Sequence, residues 1–411
     1  MKKVRISGID AKSTEDVNIS GSKSESNRIL ILKSLYKNIS IKNLSTSDDT
    51  KILEKNLNSK DFKLNVGHAG TAMRFLTAYL ALQQNKRFIL RGSERMHKRP
   101  IGNLVEALND LGFKINYIEN EGFPPLEIFG RKNLKNKVKL NSEISSQYIS
   151  AMMLIAPTLD GGLVIQLDGK ITSRPYIEMT LSILSNLGFD AKFTHNKIII
   201  KSKNNITANS IYEVESCWSS VSYFFSIVAL SSNIELSFLN YKPDSFQGDI
   251  NVLKYYELFG VKSEFVNNKL ILKKIKNFIY PEKIILDLND NPDLAQTIIV
   301  TSFGLNIPTK LTGLSTLKIK ETDRLEAMCA ELIALGADCT VDNESIEIFK
   351  SKNKVNNNHV IKTYNDHRMA LAFAPLSVIY PLEIYNPQVV SKSFPEFWNI
   401  LEKLNFSIEN L

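Results

Sequence analysis

Leu104-Val-Glu-Ala-Leu-Asn-Asp-Leu-Gly112-Phe reads as an amphipathic helix that stops at a glycine and passes into a strand. Leucine-type residues recur at helical spacing, and glycine supplies the left-handed conformation that ends a helix. The same reading fits Leu181-Ser-Ile-Leu-Ser-Asn-Leu-Gly188-Phe, Leu253-Lys-Tyr-Tyr-Glu-Leu-Phe-Gly260-Val and Ala330-Glu-Leu-Ile-Ala-Leu-Gly336-Ala. These glycines stand 76, 72 and 76 residues apart. Looser copies occur around Leu57–Phe62 and Leu401–Phe406, with Asp61 and Asn405 in the glycine place. One such stretch is an ordinary αβ connection. Six of them, each in a unit of about 70 residues, mark a repeated chain. Additional strand patterns at Lys197–Lys201 and Lys269–Lys273 give each unit several strands beside two helices. The expectation is an α/β protein of two similar domains, three units each, with a crossover near Asn204–Glu215.

Bulk properties agree with two domains, because 411 residues exceed what one hydrophobic core usually supports. The start of the chain is polar and has no secretory pattern. Its most apolar runs, Tyr223–Leu230 and Ala370–Tyr380, fall short of the roughly 18 residues that a membrane span needs. Cys217, Cys329 and Cys339 form no C-x-x-C pair, which argues against a disulfide framework or zinc cluster and suits a reducing cytoplasm. The net charge of +8 fits nucleic acid, a membrane surface or small anionic substrates alike. The lysine tracts Arg131–Lys139 and Lys269–Lys276 lack the interleaved aromatics of a single-strand stacking platform and read as solvated faces.

Several polar loops open apolar helices. Gly21-Ser-Lys-Ser-Glu-Ser-Asn-Arg28 does so with two cations and three hydroxyls, and Gly67-His-Ala-Gly-Thr-Ala-Met-Arg74-Phe does so with small residues. Helix N-termini of this kind favour anions, and Gly70 lets a ligand approach the backbone. A Walker A loop is excluded, since Asp16 stands where its first glycine would be. Arg95-Met-His-Lys-Arg99-Pro-Ile follows, with Pro100 expected at a first helical position. Ser145-Ser-Gln147, Ser173-Arg-Pro-Tyr176 and Asp244-Ser-Phe-Gln-Gly-Asp249 continue the series. The second half adds Asn291-Pro-Asp293, Lys318-Ile-Lys-Glu-Thr-Asp-Arg324, Tyr364-Asn-Asp-His-Arg368-Met and Lys392-Ser-Phe-Pro-Glu-Phe-Trp398. Asp48-Asp49 is expected to cap a helix. Asp366-His367 is only superficially a metal pair, because adjacent side chains point apart and no third ligand is suitably spaced. Cation-bearing helix starts in several units suit a cleft that takes two polyanionic small molecules.

In order along the chain, Gly-Ser-Lys-Ser-x-Ser-Asn-Arg, Ala-Gly-Thr-Ala-Met-Arg, Arg-Met-x-x-Arg-Pro-Ile, Ser-Ser-Gln, Lys-Glu-Thr-Asp-Arg and Tyr-Asn-Asp-His-Arg-Met resemble the EPSP synthase family. The resemblance spans Lys23 to Lys392. It implies the enolpyruvyl transferase fold, an inside-out α/β barrel arrangement of two similar domains, each of three βαβαββ units. It places residues 21–214 in one domain, and 1–20 with 215–411 in the other. The reaction implied is transfer of the enolpyruvyl group of phosphoenolpyruvate to the 5-hydroxyl of shikimate 3-phosphate, in a cytoplasmic monomer. Small-molecule substrates are expected, with no cofactor, metal, nucleic acid or membrane.

Position by position, the resemblance assigns Lys23, Ser24, Arg28, Ser145, Ser146, Gln147, Ser173, Asp293, Thr316 and Lys320 to shikimate 3-phosphate. It assigns Lys23, Gly70, Arg99, Gln147, Arg324, Arg368 and Lys392 to phosphoenolpyruvate, with Lys23, Asp293 and Glu321 catalytic. The chemistry requires an acid/base carboxylate near C3 of the donor, a base near the 5-hydroxyl and cations around the departing phosphate. Four positions depart from the family pattern. His68 stands for asparagine, Phe75 for proline, Thr316 for an asparagine that contacts the shikimate phosphate, and Cys217 for aspartate. The sister UDP-N-acetylglucosamine enolpyruvyltransferases rely on a loop cysteine in the first half of the chain, and here that half has none. A basic RNA-binding protein is the rival of another class, distinguished by affinity that falls steeply with salt.

Overall fold

A computed structural model describes residues 2–8, 16–142, 145–203, 210–232, 234–267, 269–351, 355–356 and 358–411. They form two compact units, Gly21–Val214 and Met1–Ser20 with Glu215–Leu411. Within the expected crossover Asn204–Glu215, residues 204–209 lie outside the described set.

The first unit contains helices α1 (Lys23–Leu35), α2 (Asp48–Leu57), α3 (Gly70–Ala81), α4 (Glu94–His97), α5 (Gly102–Asp110), α6 (Ser146–Ile155) and α7 (Arg174–Asn186). The second contains α8 (Trp218–Leu230), α9 (Val252–Glu257), α10 (Ala295–Gly304), α11 (Arg324–Ala334), α12 (His367–Phe373) and α13 (Phe397–Lys403). Apart from the one-turn α4, two kinds of helix alternate. In α6, α8, α10 and α12 nearly every residue is buried, and α1 and α3 bury most of theirs. A helix that is apolar all round has no face to give to water, so it must lie inside. Within the first unit α3 packs on α1 and α6; within the second, α10 packs on α8 and α12.

The intervening helices are the amphipathic ones read from the repeats. They hand over to strands through left-handed residues: Gly112 (φ 101°), Gly188 (76°), Gly260 (70°) and Gly336 (102°). Asn405 (65°) takes the same conformation in place of glycine, as asparagine tolerates.

Strands Lys63–Asn65, Arg87–Arg91, Leu126–Phe129 and Lys114–Tyr117 lie side by side in that order. The first pair is parallel, and the next two pairs are antiparallel. This is the βαβαββ pattern: a crossover helix, then an amphipathic helix, then a hairpin. The stretches Lys137–Ile200 and Ile284–Phe349 repeat it. The N-terminal chain completes two further sheets of the second unit. Asp16–Val17 pairs parallel with Glu235–Leu239, and Lys3–Ser7 lies between Leu382–Tyr385 and Ser407–Asn410. Backbone pairing is thus what ties this short segment to the distant half of the chain.

One expectation needs correction. Among the described residues five sheets have four strands, but the sixth has two, Ser210–Glu213 parallel to Ile39–Lys42. Only residues 58–62 separate α2 from strand Lys63–Asn65, which already belongs to the next sheet. That is too short for a hairpin, so the copy around Leu57–Phe62 is a truncated unit. Each unit has its own apolar core. Cys329 and Cys339 are buried in the second of these cores. Among the described residues no helix is long and apolar enough to cross a membrane.

Candidate active site

The inner helices explain where the polar motifs sit. All but α8 begin at a loop that the sequence singles out, so backbone N–H groups and the positive dipole end are presented beside the motif residues. In the first unit the Ser22 hydroxyl caps α1 by accepting from the Glu25 N–H, and Lys23 is the first helical residue. Lys23 Nζ lies 3.2 Å from Asp49 Oδ2, with that carboxylate only 5% exposed. Asp48-Asp49 therefore does not supply the cap expected of it. Ser47 caps α2 instead, and Asp49 turns to Lys23. Ser24 directs its carbonyl to Arg28 Nη1 at 2.8 Å.

Arg28 is buried and firmly held. Its Nε donates to Thr180 Oγ1 (2.7 Å), and its Nη2 to Ser150 Oγ (2.9 Å) and the Tyr176 carbonyl (3.2 Å). Burial pulls this guanidinium down to about 10, against opposing influences from Tyr176, Glu25 and Tyr212. Phe75, one of the departures from the family pattern, is wholly buried with its ring centroid 5.5 Å from the Arg28 guanidinium carbon. By donor count, four of five Arg28 N–H groups serve the fold, so most of its hydrogen-bonding capacity braces α1 against α6 and α7.

At the start of α3 the need for glycine is steric. A Cβ on Gly70 would stand 2.6 Å from Arg99 Nη1 and 3.0 Å from its Cζ, so the guanidinium occupies the space a side chain would take. Arg74, also buried, donates to the carbonyls of Gly70 (3.3 Å) and Pro100 (2.6 Å). The Tyr148 hydroxyl donates to the same Pro100 carbonyl at 2.5 Å. Pro100 is not the first residue of a helix, as expected, because α5 starts at Gly102 with Ile101 as its cap. Its carbonyl is instead the point at which α3 and α6 hold the Arg99 loop. Ser145 caps α6, Ser146 is buried within its first turn, and Gln147 Nε2 reaches Thr71 Oγ1 of α3 at 3.4 Å. Ser173 is left-handed (φ 52°) and largely buried at the start of α7. His68 Nδ1 lies 2.9 Å from Ser93 Oγ.

The second unit gathers charge more densely. Asp323 caps α11 by accepting from the N–H groups of Leu325 and Glu326, which leaves Lys320, Glu321 and Arg324 to face other partners. Arg324 is 2% exposed and touches three carboxylates. Its Nε donates to Asp366 (2.7 Å), Nη1 to Asp293 (3.0 Å) and Nη2 to Glu321 (3.0 Å). Burial works against its charge, but Asp366, Glu321 and Asp293 outweigh burial and hold it above the ordinary arginine value. Asp366 caps α12 through the Arg368 N–H (2.9 Å), and Arg368 Nη2 reaches Asp293 Oδ2 at 2.8 Å. Lys392 Nζ stands 2.7 Å from Glu321 Oε1, and Lys320 Nζ 3.9 Å from Asp293. Four cations thus interlock with Asp293, Glu321 and Asp366, an excess of one positive charge.

Around this cluster lie four further groups, of which the sequence reading gave only the Tyr223 hydroxyl no part in the site. The Tyr223 hydroxyl of α8 lies 3.4 Å from Arg368 Nη1 and is pushed up to about 12, mainly by burial. Burial, then the charge of Asp293, raises Asp249 above the usual carboxylate range. Thr316 lies in the turn before Lys320, with its Oγ1 buried and no hydrogen-bond partner among the described residues. Cys217 occupies the cap position of α8, where its carbonyl accepts from the Tyr241 hydroxyl (3.1 Å). No cluster of His, Cys, Asp and Glu among the described residues is arranged to hold a metal ion.

The structure therefore brings Asp293, Lys320, Glu321, Arg324, Arg368 and Lys392 into one network. It sets Gly70 against Arg99, Gln147 beside α3, and Lys23 on Asp49. Asp49 and Asp366 are the residues whose part was missed or undervalued. Their signal lay in pairings across 26 and 42 residues, which no local pattern reveals.

The fold is shared with solved enolpyruvyl transferases. An EPSP synthase from Acinetobacter baumannii superposes with a TM-score of 0.76 at 20% identity, covering all of both chains. The enolpyruvyl transferase NikO from Streptomyces tendae does so at 0.74 and 12% identity, covering 100% of this chain and 99% of that one. The fold is that of the enolpyruvyl transferases. A family model described as EPSP synthase (3-phosphoshikimate 1-carboxyvinyltransferase) matches residues 52–401. A 3-phosphoshikimate 1-carboxyvinyltransferase of Bacteroides fragilis (strain YCH46) is 43% identical over 397 residues, 96% of each chain. One from Haemophilus influenzae (strain Rd) is 33% identical, over 98% of this chain and 99% of its own. This chain belongs to the EPSP synthase family.

Proposed function

We propose that the protein transfers the enolpyruvyl group of phosphoenolpyruvate to the 5-hydroxyl of shikimate 3-phosphate, releasing inorganic phosphate and supplying the route to aromatic amino acids. The observation that carries this reading is Glu321, a carboxylate held between Arg324 and Lys392 in a cation cluster. Enolpyruvyl transfer by addition and elimination asks for that combination. A proton goes to C3 of phosphoenolpyruvate, C2 becomes electrophilic, and the 5-hydroxyl adds there as it gives up its own proton. The adduct then expels phosphate while C3 returns a proton. An acid/base group must stand beside C3, within reach of cations that accept the departing charge.

In this reading Arg324, Arg368 and Lys392 take the phosphate and carboxylate of phosphoenolpyruvate, and Glu321 moves the C3 proton. Asp293 and Lys320 hold the acceptor, with Asp293 near the 5-hydroxyl. From the first unit, Lys23, Gly70, Arg99 and Gln147 serve phosphoenolpyruvate. Lys23, Ser24, Arg28, Ser145, Ser146, Gln147 and Ser173 serve shikimate 3-phosphate, with Thr316 from the second unit. An anion that claims Arg324 and Lys392 competes with Glu321 for them. Substrate binding thus frees the carboxylate for proton transfer as it neutralises the cations.

Gly70→Ala is the sharpest steric test. The new Cβ must displace the Arg99 guanidinium, the movable end of a flexible side chain, so folding should change little. The KM for phosphoenolpyruvate should rise about tenfold or more, as expected when a binding group is moved by about an ångström. Steady-state kinetics at saturating shikimate 3-phosphate will measure it, and an unchanged KM would remove Arg99 from the donor site.

The reading includes a cytoplasmic monomer that needs no cofactor; light scattering of the purified protein measures its mass. The reaction itself is tested by phosphate release from phosphoenolpyruvate with and without shikimate 3-phosphate. Release only with both is expected. Release with UDP-N-acetylglucosamine as acceptor, or none with shikimate 3-phosphate, would contradict it.

A further inference from the structure

Helix α11 faces the charged network with more than its first residue. Glu331 follows Arg324 by seven residues, two helical turns, and so shares its face. It stands among Met328 and Leu332 on the buried side and is 2% exposed. A carboxylate so placed costs several kcal/mol in lost hydration and needs partners that compensate. Among the described residues its side-chain partners all come from one segment: His359 Nε2 at 2.7 Å, the Lys362 N–H at 3.0 Å and the Tyr364 hydroxyl at 2.7 Å.

That segment contains an unusual turn. Tyr364 (φ 52°) and Asn365 (φ 56°) are successive non-glycine residues in the left-handed region. Each costs roughly 1–2 kcal/mol, and such backbone persists only where its surroundings over-determine it. Glu331 fixes Tyr364, Asn386 Nδ2 holds Asn365 Oδ1 at 2.9 Å, and the Thr363 carbonyl accepts from the Asp366 N–H at 2.8 Å. The turn delivers Asp366, which binds Arg324 Nε at 2.7 Å and caps the helix carrying Arg368. α11 therefore grips the segment twice, with Glu331 where the turn begins and Arg324 where it ends.

We infer that Glu331 is a positioning residue for the Arg324–Arg368 pair, acting through the left-handed turn at Tyr364-Asn365 and through Asp366. This rests on the assignment of those arginines to phosphoenolpyruvate. Glu331→Gln should fold and raise the KM for phosphoenolpyruvate about tenfold, with the KM for shikimate 3-phosphate unchanged within about twofold. A glutamine puts an N–H₂ group against donors that need an oxygen. Tyr364→Phe, which removes one hydroxyl, should shift the same KM in the same direction by less.

A merely structural Glu331 would lower the amount of active protein, and thus apparent kcat, with neither KM moved; that result overturns the inference. Should Glu331→Gln prove insoluble, Tyr364→Phe decides on the same KM readout. Should the unmodified protein release no phosphate with both substrates, the assigned reaction fails separately. A crystal structure of the Tyr364→Phe variant then decides the matter by geometry alone. Asp366 displaced from Arg324 supports the positioning role, and Asp366 in place on both arginines rejects it.

Discussion

Glu321→Ala is expected to lower kcat by at least about a hundredfold, the low end of what general acid/base catalysis contributes. Its two cationic neighbours decide how the loss divides between kcat and KM. Arg324 Nη2 and Lys392 Nζ lie at 3.0 and 2.7 Å, so the alanine variant loses a proton carrier and also unlocks two cations. Those cations would meet the anionic substrate without competition, so the KM for phosphoenolpyruvate should hold steady or fall while kcat collapses. Glu321→Gln separates the effects, because an amide oxygen still accepts from one cation but carries no proton to C3. It should be as slow as the alanine variant. A glutamine variant within about threefold of the unmodified rate would confine Glu321 to holding Arg324 and Lys392.

Lys23→Met should also cost at least about a hundredfold in kcat/KM, as expected on removing a preorganised cation from charge that develops in the reaction. Lys23 begins α1, where its charge adds to the helix dipole, and its Nζ holds Asp49 at 3.2 Å. Methionine keeps the length and apolar stem of the side chain, so packing is preserved. It leaves a nearly buried carboxylate without its cation, which can cost several kcal/mol of stability by itself. The double variant Lys23→Met with Asp49→Asn removes that complication. It should regain thermal stability over the single variant without regaining activity. Recovery of activity in the double variant would mean that Lys23 serves only to neutralise Asp49.

The features legible in the sequence were those with a local signature. The amphipathic outer helices announced themselves through Leu104–Gly112 and its copies, because helical spacing and a left-handed glycine act within ten residues or so. Motifs at the starts of inner helices were legible for the same reason. Pairings decided by the tertiary fold were not. Asp49 read as a helix cap because acidic residues favour first turns, and its link to Lys23 needed α1 and α2 side by side. Pro100 read as a helix start because its ring suits that position, yet its carbonyl serves Arg74 and Tyr148. Glu331 carries no local signal within the repeat helix, and only the tertiary fold buries it against Tyr364. The truncated repeat around Leu57–Phe62 was hidden because its two-stranded sheet borrows Ser210–Glu213 from far along the chain.

The most direct test of the account is turnover in heavy water. With phosphoenolpyruvate and shikimate 3-phosphate present, C3 passes through a methyl group. The recovered enolpyruvyl product should therefore carry deuterium at C3, with one phosphate released per transfer, and omission of shikimate 3-phosphate should abolish both. A product formed without deuterium at C3, or phosphate released without the acceptor, would contradict proton transfer at C3 in this site.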